Sequence, residues 1–431
     1  MQRIVIVGGG AGGLALATQL GRRLGKKGLA QITLVDAART HVWKPLLHQL
    51  AAGSYDTHAE EIEYLAQAHS HHFKFRLGDL TGIDRQNKTV QLAASHDDSG
   101  REITPAQSLA YDTLVIAVGS QTNDFSTLGA AEHAIKLNTP KAARQLNQRL
   151  INACIRAQTV ARTAGSGVLT VAIVGGGATG VELAAELHAA ANVLASYGFD
   201  HIDPQKDLKI VLIEAAPRLL AQLPERLSES ALRELRNLAI EVHTSEKVVE
   251  VTADSLKMAS GKTVASTITV WAAGVKAADF LNSLGGDDPL ETTRINQLMV
   301  NGNLQTTRDA AIYAFGDCAA CQQPDGGWVP PRAQAGLPAG HVSGARAAAA
   351  DERANRTCVR LPRPGLAGVA GVAGVAVGIL VGRQSDGQPE QRQFFCRRPA
   401  CQTDVLGLAQ TAPAGARRIH ENSIDHPVGN D

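Results

Sequence analysis

A glycine-rich turn near the start of the sequence combines Gly8, Gly10 and Gly13 in the spacing G-x-G-x-x-G. It lies in "RIVIVGGGAGGLALATQL", between a run typical of a β-strand and one typical of a helix. Such glycines allow a tight turn, let the backbone approach a pyrophosphate, and let helix and strand pack closely. The N–H groups at the helix N-terminus favour the phosphate charge. The next predicted strand, "QITLVDAA", ends in Asp36, whose carboxylate can bind ribose hydroxyls.

The same arrangement returns in the middle of the chain. Gly175, Gly177 and Gly180 lie in "GVLTVAIVGGGATGVELAAELH", and the next predicted strand, "LKIVLIEAAPRLL", ends at Glu214. A carboxylate at this position accepts a hydrogen bond from the 2′-OH of NADH and repels the 2′-phosphate of NADPH. The sequence therefore predicts a preference for NADH, which the nearby Arg218 would soften.

Two such turns in one chain usually mean two dinucleotides, a bound flavin and a nicotinamide that comes and goes. Hydride would enter the flavin from the nicotinamide, and electrons would then leave to a second acceptor. Because each turn links a strand to a helix, the predicted fold is α/β, with two Rossmann-like dinucleotide-binding domains.

The composition is that of a globular chain and excludes several functional classes. The 431 residues are 44% hydrophobic with a net charge of +1, so neither nucleic acid nor an acidic partner is expected. The start, "MQRIVIVGGGAGG", runs straight into the first strand and turn, so we expect no signal peptide and a cytoplasmic location. The CxxC of Cys318 and Cys321 is interpreted as a loop with two thiols, without a metal ion.

Three further stretches resemble the two-dinucleotide flavoprotein reductases. "YDTLVIAVGS" (111–120) and "STITVWAAGVKAADFL" (266–281) are similar to the paired returns of the chain from one domain to the other. "DAAIYAFGDCAA" (309–320) resembles the late FAD motif, whose acid binds the ribityl or pyrophosphate portion of the flavin beside a helix N-terminus. The cofactor-binding residues that this resemblance assigns are Gly119, Ala273, Gly274, Gly316 and Asp317.

Within that superfamily the sequence most resembles the type II, non-proton-pumping NADH:quinone oxidoreductases. "HVWKPLLHQLAAGSYD" (41–56) resembles their segment beside the flavin, and "GGGATGVELAAEL" (175–187) resembles their NADH-site signature. "WVPPRAQA" (328–335) resembles the start of their quinone-side helix. The resemblance covers residues 1–335 and implies noncovalent FAD, NADH as donor and a membrane quinone as acceptor.

The resemblance also implies roles for four individual residues. Lys44 and Pro45 shape the flavin pocket, and Gln334 matches the first glutamine of an A-Q-x-x-x-Q pattern beside the quinone. Glu182 corresponds to a residue near the nicotinamide and flavin, where it assists proton handling or positions the ring. Each of the last two has an alternative interpretation. Glu182 is favoured by the helix dipole without any chemistry, and Gln334 is a polar residue on a helix face.

The histidines receive structural interpretations. His41 and His48 lie beside the expected flavin site, and both are predicted to support the fold and not to take part in catalysis. The tract "HSHH" at 69–72 has the composition of a metal-binding tract, but it is interpreted as a solvated loop.

After Ala335 the chain departs from the family pattern, which would continue as A-x-Q-Q-A. Residues 336–431 contain no lysine, tyrosine or tryptophan and lack the apolar periodicity of helix or strand. We interpret them as an out-of-frame translation with irregular structure. Codons shifted by one base permit A-x-Q-Q-A after Ala335, and F-x-Y-R-D-x-G-S-L-V-S-L from Val359 to Ala370, and both resemble the family.

The tail also contains 18 consecutive apolar or glycine residues, "GLAGVAGVAGVAVGILVG" at 365–382. The length suits a membrane-spanning helix, but each glycine weakens a helix by about 1 kcal/mol relative to alanine, so no true span is predicted. The family tail supplies part of the quinone pocket and amphipathic helices on the cytoplasmic face of the inner membrane. We expect this chain to lack that anchor. A second copy of the chain, in a homodimer, is a further expected partner.

The predicted FAD-binding domain is discontinuous and consists of residues 1–125 and 295–335. The predicted NADH-binding domain, residues 165–285, is inserted between these halves, and residues 336–431 form the aberrant tail. The flavin is expected at the interface of the two domains.

Two alternatives to NADH:quinone activity stay open. A sulfide:quinone or other disulfide-type reductase requires a cysteine pair facing the flavin. Cys318 and Cys321 follow Asp317 at the wrong end of the cofactor, and Cys154 stands alone. The other alternative is a frameshifted, non-catalytic product, which flavin content and soluble expression would test.

Overall fold

The computed structural model describes residues 1–164, 168–195, 203, 207–322 and 327–328. Gln334, the apolar run at 365–382 and the predicted tail lie outside these residues. Within the described part, no helix combines the length and the apolar character needed to cross a membrane.

The first group of strands lies before residue 130 and includes the strand that precedes the first glycine turn. They are β1 (Gln2–Val7), β2 (Ala30–Asp36), β3 (Thr40–His41), β4 (Ile62–Glu63), β5 (Lys74–Leu77), β6 (Leu80–Asp84), β7 (Thr89–Leu92), β8 (Ser95–His96), β9 (Glu102–Thr104), β10 (Gln107–Ala110), β11 (Thr113–Ile116) and β12 (Ser120–Thr122).

The later strands build a second sheet and then return to the first. They are β13 (Ala134–Lys136), β14 (Leu169–Val174), β15 (Leu208–Ile213), β16 (Glu241–His243), β17 (Val248–Val251), β18 (Ser255–Met258), β19 (Thr263–Ala265), β20 (Ile268–Trp271), β21 (Val275–Ala277), β22 (Leu298–Val300), β23 (Gln305–Thr306), β24 (Asp309–Ala314) and β25 (Ala319–Cys321).

The helices mostly connect or cover the parallel strands. The α-helices are α1 (Ala11–Leu20), α2 (Leu47–Ala52), α3 (Thr57–Glu60), α4 (Tyr64–His71), α5 (Ala130–His133), α6 (Pro140–Ala164), α7 (Ala178–Ala195) and α8 (Glu225–Asn237). A π-helical turn, Gly21–Gly25, continues α1. Short 3₁₀ helices span Lys44–Leu46, Asp279–Ser283 and Gly316–Cys318.

The larger sheet has the strand order β25-β22-β23-β24-β11-β1-β2-β5. β1 lies in its centre and pairs in parallel with β2 and β11, and β24 pairs in parallel with β11. Apolar side chains such as Ile4, Ile32 and Leu114 are almost fully buried, which explains the continuous apolar runs in these strands. The chain therefore completes this sheet only after it has built the second one.

The second sheet has the order β13-β20-β14-β15-β16, and every pairing in it is parallel. Helices α6 and α7 pack on one face of this sheet, and α2 shares their apolar core. The antiparallel sheet β17-β18-β19 covers the other face. The predicted α/β fold with two Rossmann-like sheets is confirmed.

One local prediction is wrong. The "HSHH" tract is not a loop, since α4 continues to His71 and ends at His72, whose φ of 59° is left-handed. Tyr64 and Ala68 of α4 are buried in the apolar core beside the larger sheet, and this packing holds the segment helical. In the described part of the chain, no cluster of histidine, cysteine and acidic residues has a geometry that could hold a metal ion.

Candidate functional site

The first glycine turn places an unblocked helix N-terminus at the end of β1. Helix α1 follows Gly10, no side chain caps it, and its first turn contains no acidic residue. A Cβ added to Gly10 would meet no protein atom within 4 Å, whereas one added to Gly13 would lie 1.9 Å from the carbonyl oxygen of Gly8. Gly13 therefore serves packing, and Gly10 leaves open space where the helix N–H groups can donate hydrogen bonds to an anion.

The second turn repeats this geometry. A Cβ on Gly180 would lie 1.9 Å from the carbonyl oxygen of Gly175, while a Cβ on Gly177 would meet no protein atom within 4 Å. Gly175 itself has a φ of +116°, a conformation that other residues rarely adopt. Helix α7 also begins without an acidic residue in its first turn. The chain thus has two equivalent open glycine turns, one after a parallel strand of each sheet.

The acids that follow the two turns also make equivalent contacts. Asp36 accepts hydrogen bonds from the backbone N–H of Gly9 at 2.6 Å and of Ala38 at 2.7 Å. Glu214 accepts hydrogen bonds from the backbone N–H of Gly176 at 2.5 Å and of Ala216 at 2.7 Å. Burial raises the pKa of Asp36, and its backbone hydrogen bonds oppose that rise. Each carboxylate orients its glycine turn and still has lone pairs for a ribose hydroxyl.

The carbonyl of Gly9 is held by two side chains that lie far from it in the sequence. The hydroxyl of Tyr64 donates to this oxygen at 2.7 Å, and the Nδ1 atom of His41 lies 3.0 Å from it. A Cβ on Gly9 would lie 2.4 Å from the Tyr64 hydroxyl oxygen, so this position must be glycine. These contacts fix the peptide whose N–H donates to Asp36.

Lys44, Ser120 and Asp317 form a hydrogen-bonded chain along the cleft. Lys44 Nζ donates to the carbonyl oxygen of Ser120 at 2.6 Å, and Ser120 Oγ donates to Asp317 Oδ2 at 2.6 Å. The lysine has access to solvent, but the protein atoms around its ammonium group lower its pKa, and the Asp317 charge opposes that effect. Pro45 follows in the same 3₁₀ turn and restricts its backbone.

Three predicted cofactor-binding glycines have left-handed backbones, two in the return segments and one in the late FAD motif. Their φ values are +71° for Gly119, +69° for Gly274 and +76° for Gly316. The strands that follow the first two, β12 and β21, pair with each other in antiparallel orientation. The backbone nitrogen of Ala273 would lie 2.7 Å from a Cβ on Gly175, so the second return packs directly against the second glycine turn.

Glu182 lies one turn into α7 and faces α2. Its Oε2 atom is 3.5 Å from Nδ1 of His48, and both side chains are largely shielded, with 34% and 10% exposure. Glu186, one helical turn further, accepts a hydrogen bond from Ser54 Oγ at 3.1 Å. Burial, together with the charge of Glu186, raises the pKa of Glu182. The site therefore contains a carboxyl group that retains its proton at a higher pH than an ordinary glutamate.

A single short segment connects the two polar clusters. Lys44 reaches the Asp317 cluster, and His48, four residues later, reaches Glu182. The backbone of this segment therefore links the residues around the predicted FAD-motif acid with the predicted catalytic glutamate.

The described cysteines offer no redox-active pair. Cys154, Cys318 and Cys321 are buried, and none of them forms a disulfide. The thiol of Cys318 contacts the carbonyl oxygen of Phe315 at 3.3 Å, and burial raises its pKa to about 11. A thiolate nucleophile is therefore strongly disfavoured at this position.

Comparison with known proteins agrees with this geometry. The family model of the pyridine nucleotide-disulphide oxidoreductases matches residues 2–348. A type II NADH:quinone oxidoreductase of Haemophilus influenzae is 42% identical over 347 residues, covering 78% of this chain and 77% of that protein. The chain belongs to the type II NADH:quinone oxidoreductases. The predicted family resemblance is confirmed.

More distant similarities extend to one further sequence and to a solved structure with the same fold. A probable NADH dehydrogenase of Dictyostelium discoideum is 28% identical over 306 residues, 70% of this chain. The structure of NDH2 from Plasmodium falciparum in complex with NADH matches with a TM-score of 0.65 and 23% identity over 74% of this chain. The chain spans 65% of each of these two proteins, slightly less than two thirds of their length.

Sequence reasoning missed several contacts in this type II oxidoreductase. Ser120, which links Lys44 to Asp317, directly follows a predicted glycine, and that position was the available signal. His48 was interpreted as structural, but the structure places it beside Glu182. The remaining predicted cofactor residues lie at the two turns and the returns, and Gln334 lies outside the described residues.

Proposed function

We propose that this chain transfers hydride from NADH to a noncovalently bound FAD and passes the electrons on to a membrane quinone. The observation that carries this proposal is the pair of open glycine turns, one on each Rossmann-like sheet, together with the segment from Lys44 to His48, which contacts Ser120 and Glu182. The turn at Gly10 would hold the FAD pyrophosphate, and the turn at Gly177 would hold that of NADH. We infer that this arrangement brings the two reacting rings together.

The residues of the first site fit FAD. Open space at Gly10 admits a pyrophosphate, Asp36 can accept from the ribose hydroxyls, and the Lys44–Asp317 cluster supplies both charges beside the ribityl chain or flavin ring. Bound FAD would supply the two-electron acceptor for the hydride of NADH. The protein would contribute orientation, exclusion of water and control of charge, and the reaction requires no protein nucleophile.

Glu182 would handle a proton at the meeting point of nicotinamide and flavin. Its raised pKa places it closer to neutrality than an ordinary carboxyl group, and this improves its efficiency in proton transfer near pH 7.

Gln334 would bind the quinone, and residues 1–125 and 295–335 would form the FAD domain. Residues 165–285 would form the NADH domain, and β13 extends that domain's sheet.

We also propose how the chain relates to the membrane. The family's place on the cytoplasmic face, and a possible dimer, depend on surfaces that lie partly after residue 335. Because residues 336–431 contain no recognisable basic amphipathic helix, attachment of this chain to the membrane would be weak. Electron delivery to small soluble acceptors would not depend on that tail.

The purified full-length chain is expected to be yellow and to release FAD into the supernatant on acid precipitation. The reason is that the proposed FAD contacts, at the Gly10 turn and at Asp317, are noncovalent. Adding NADH anaerobically should bleach the flavin absorbance near its visible maximum, and ferricyanide should restore it. Absorbance spectra before and after each addition measure both steps. Flavin that stays in the acid pellet, or flavin that NADH does not bleach, would contradict the proposal.

The same preparation separates the alternatives. Sulfide should leave the flavin oxidised, because Cys318 is buried with a pKa of about 11 and no described cysteine forms a disulfide. Rapid bleaching by sulfide would favour the disulfide-type reductase. A soluble but colourless protein that also fails to bind added FAD would favour the non-catalytic product.

NADH is expected to be preferred over NADPH by at least about tenfold in kcat/KM, because Glu214 would face the 2′-phosphate of NADPH with a like charge. Arg218 does not counter this charge freely, since its guanidinium donates to the carbonyl oxygens of Ala221 and Leu223. Glu214→Ala should narrow the preference, and Glu214→Gln should do so with less disturbance of the turn. Steady-state rates with both donors and ferricyanide measure the ratio.

Glu241→Gln is the matched control for that experiment. Glu241 lies on β16 of the same sheet, where it pairs with Lys209 and His243, away from the glycine turn. Its substitution should leave the NADH/NADPH ratio unchanged. Equal kcat/KM for both donors in the unmutated chain would refute the role of Glu214.

A further inference from the structure

His48 and Glu182 connect the two sides of the cleft. His48 lies on α2, which follows the flavin-side residue Lys44, and Glu182 lies on α7, which follows the nicotinamide-side glycine turn. Helices α2 and α7 share one apolar core, and Nδ1 of His48 is 3.5 Å from Oε2 of Glu182. The 10% exposure of the imidazole limits competition from water. This contact therefore couples the positions of two elements that would hold different cofactors.

The charges around this pair favour a single shared proton. Glu186 adds a second carboxylate one turn along α7, and Ser54 donates to it at 3.1 Å. The carbonyl oxygen of Pro45 accepts a hydrogen bond from the His48 ring. Burial lowers the pKa of His48, and the charge of Glu186 opposes that change. Two ionised carboxylates beside a neutral imidazole would repel each other in a shielded site, which favours a proton on Glu182 or on the imidazole.

Helix α6, which also packs on α2, brings further polar groups to this region. Arg144 forms an ion pair with Glu61 at 2.5 Å, and Nδ2 of Asn147 donates to the carbonyl oxygen of Ala51 at 3.2 Å. The ring of Tyr55 is buried near Glu61 and Arg144. The described partners of Arg144 and Asn147 are Glu61 and Ala51, whereas the imidazole of His48 contacts Glu182 directly.

We propose that His48 is a positioning residue that holds Glu182 at the cleft and shares one proton with it. When Glu182 is ionised, the protonated Nδ1 of His48 donates to Oε2. When Glu182 has taken up that proton, its hydroxyl donates to Nδ1, so the pair keeps the same total charge. This inference rests on the proposed function, in which Glu182 handles a proton beside the nicotinamide and flavin.

The first test follows the His48 ring by NMR in the flavin-loaded full-length chain. The Cε1–H resonance of His48, identified by its loss in His48→Asn, is titrated with pH. Glu182→Gln removes the anionic partner, so the midpoint of His48 should fall by about 0.5–1 pH unit. Glu241→Gln is the matched control, because it should move the resonance of His243, which lies 2.7 Å from Glu241, and leave that of His48 unchanged. An unchanged His48 midpoint in Glu182→Gln would overturn the inference.

The second test measures the pH dependence of flavin reduction by NADH in a stopped-flow instrument. His48→Ala removes a donor to ionised Glu182, so the inflection assigned to Glu182 should move up by about 1 pH unit. His48→Asn keeps an N–H donor, so its inflection should lie close to that of the unmutated chain. A rate that falls equally at every pH, with no movement of the inflection, would show a merely structural role for His48.

Glu182→Gln distinguishes the failure of this inference from the failure of the proposed function. If that variant abolishes the inflection but His48→Ala leaves it in place, the shared proton is wrong and the role of Glu182 stands. If the inflection survives in Glu182→Gln, the proton-handling role of Glu182 is wrong as well. Thermal melts of each holoprotein accompany these profiles and identify any variant that fails to fold.

Discussion

The Gly177→Val variant is expected to keep its fold and its flavin while losing about 100-fold in kcat/KM with NADH. A Cβ at this position would meet no protein atom within 4 Å, so the valine is tolerated by the folded chain. Its methyl groups would occupy the space through which the NADH pyrophosphate approaches the N-terminus of α7. A displacement of about 1 Å in a bound substrate costs on the order of 100-fold in rate, or about 2.7 kcal/mol.

Two other glycines provide the controls for Gly177→Val. Gly10→Val makes the reciprocal change, and it should lose FAD because Gly10 is equally open but lies at the first turn. Gly180→Val should lower the melting temperature, since its Cβ would collide with the carbonyl oxygen of Gly175. Steady-state kinetics with ferricyanide, flavin content and thermal melts measure the three outcomes. An unchanged kcat/KM for NADH in Gly177→Val would contradict the placement of the donor.

Shifting the codons after position 335 by one base is expected to raise reduction of a long-chain quinone by on the order of 100-fold. The shifted frame permits A-x-Q-Q-A after Ala335, which would place further polar groups near Gln334 in the quinone pocket. It would also replace an arginine-containing, lysine-free tail with the family's amphipathic membrane helices. NADH:ferricyanide activity should change little, because the cofactor turns precede the altered segment. Rates with a long-chain ubiquinone in liposomes measure the difference.

A Gln334→Ala substitution in the shifted version tests the source of that gain. It should reduce quinone turnover while membrane binding, measured by flotation, stays at the level of the shifted parent. The chain in its present frame should float poorly in the same gradient. If the two frames bind membranes and reduce ubiquinone equally well, the frameshift interpretation of residues 336–431 is wrong.

The sequence by itself determined the two dinucleotide folds, because their signals are local. Each turn places its glycines within six residues, and the strand, the turn and the helix N-terminus that bind a pyrophosphate are consecutive. The acids Asp36 and Glu214 follow at the ends of the next strands, where parallel pairing must bring them beside the turns. The apolar run around Ile4 predicted a strand, and in the structure this strand is β1, whose apolar side chains are buried.

Only the tertiary structure decided which distant side chains complete the cleft. Ser120 and Asp317 are separated by 197 positions, yet they share a hydrogen bond because β11 and β24 are neighbours in one sheet. His48 meets Glu182 because α2 packs on α7 of the other sheet. A sequence motif consists of residues that are close in the chain and contact the same ligand. Contacts of this second kind depend on how helices and sheets pack, which no short stretch of the sequence encodes.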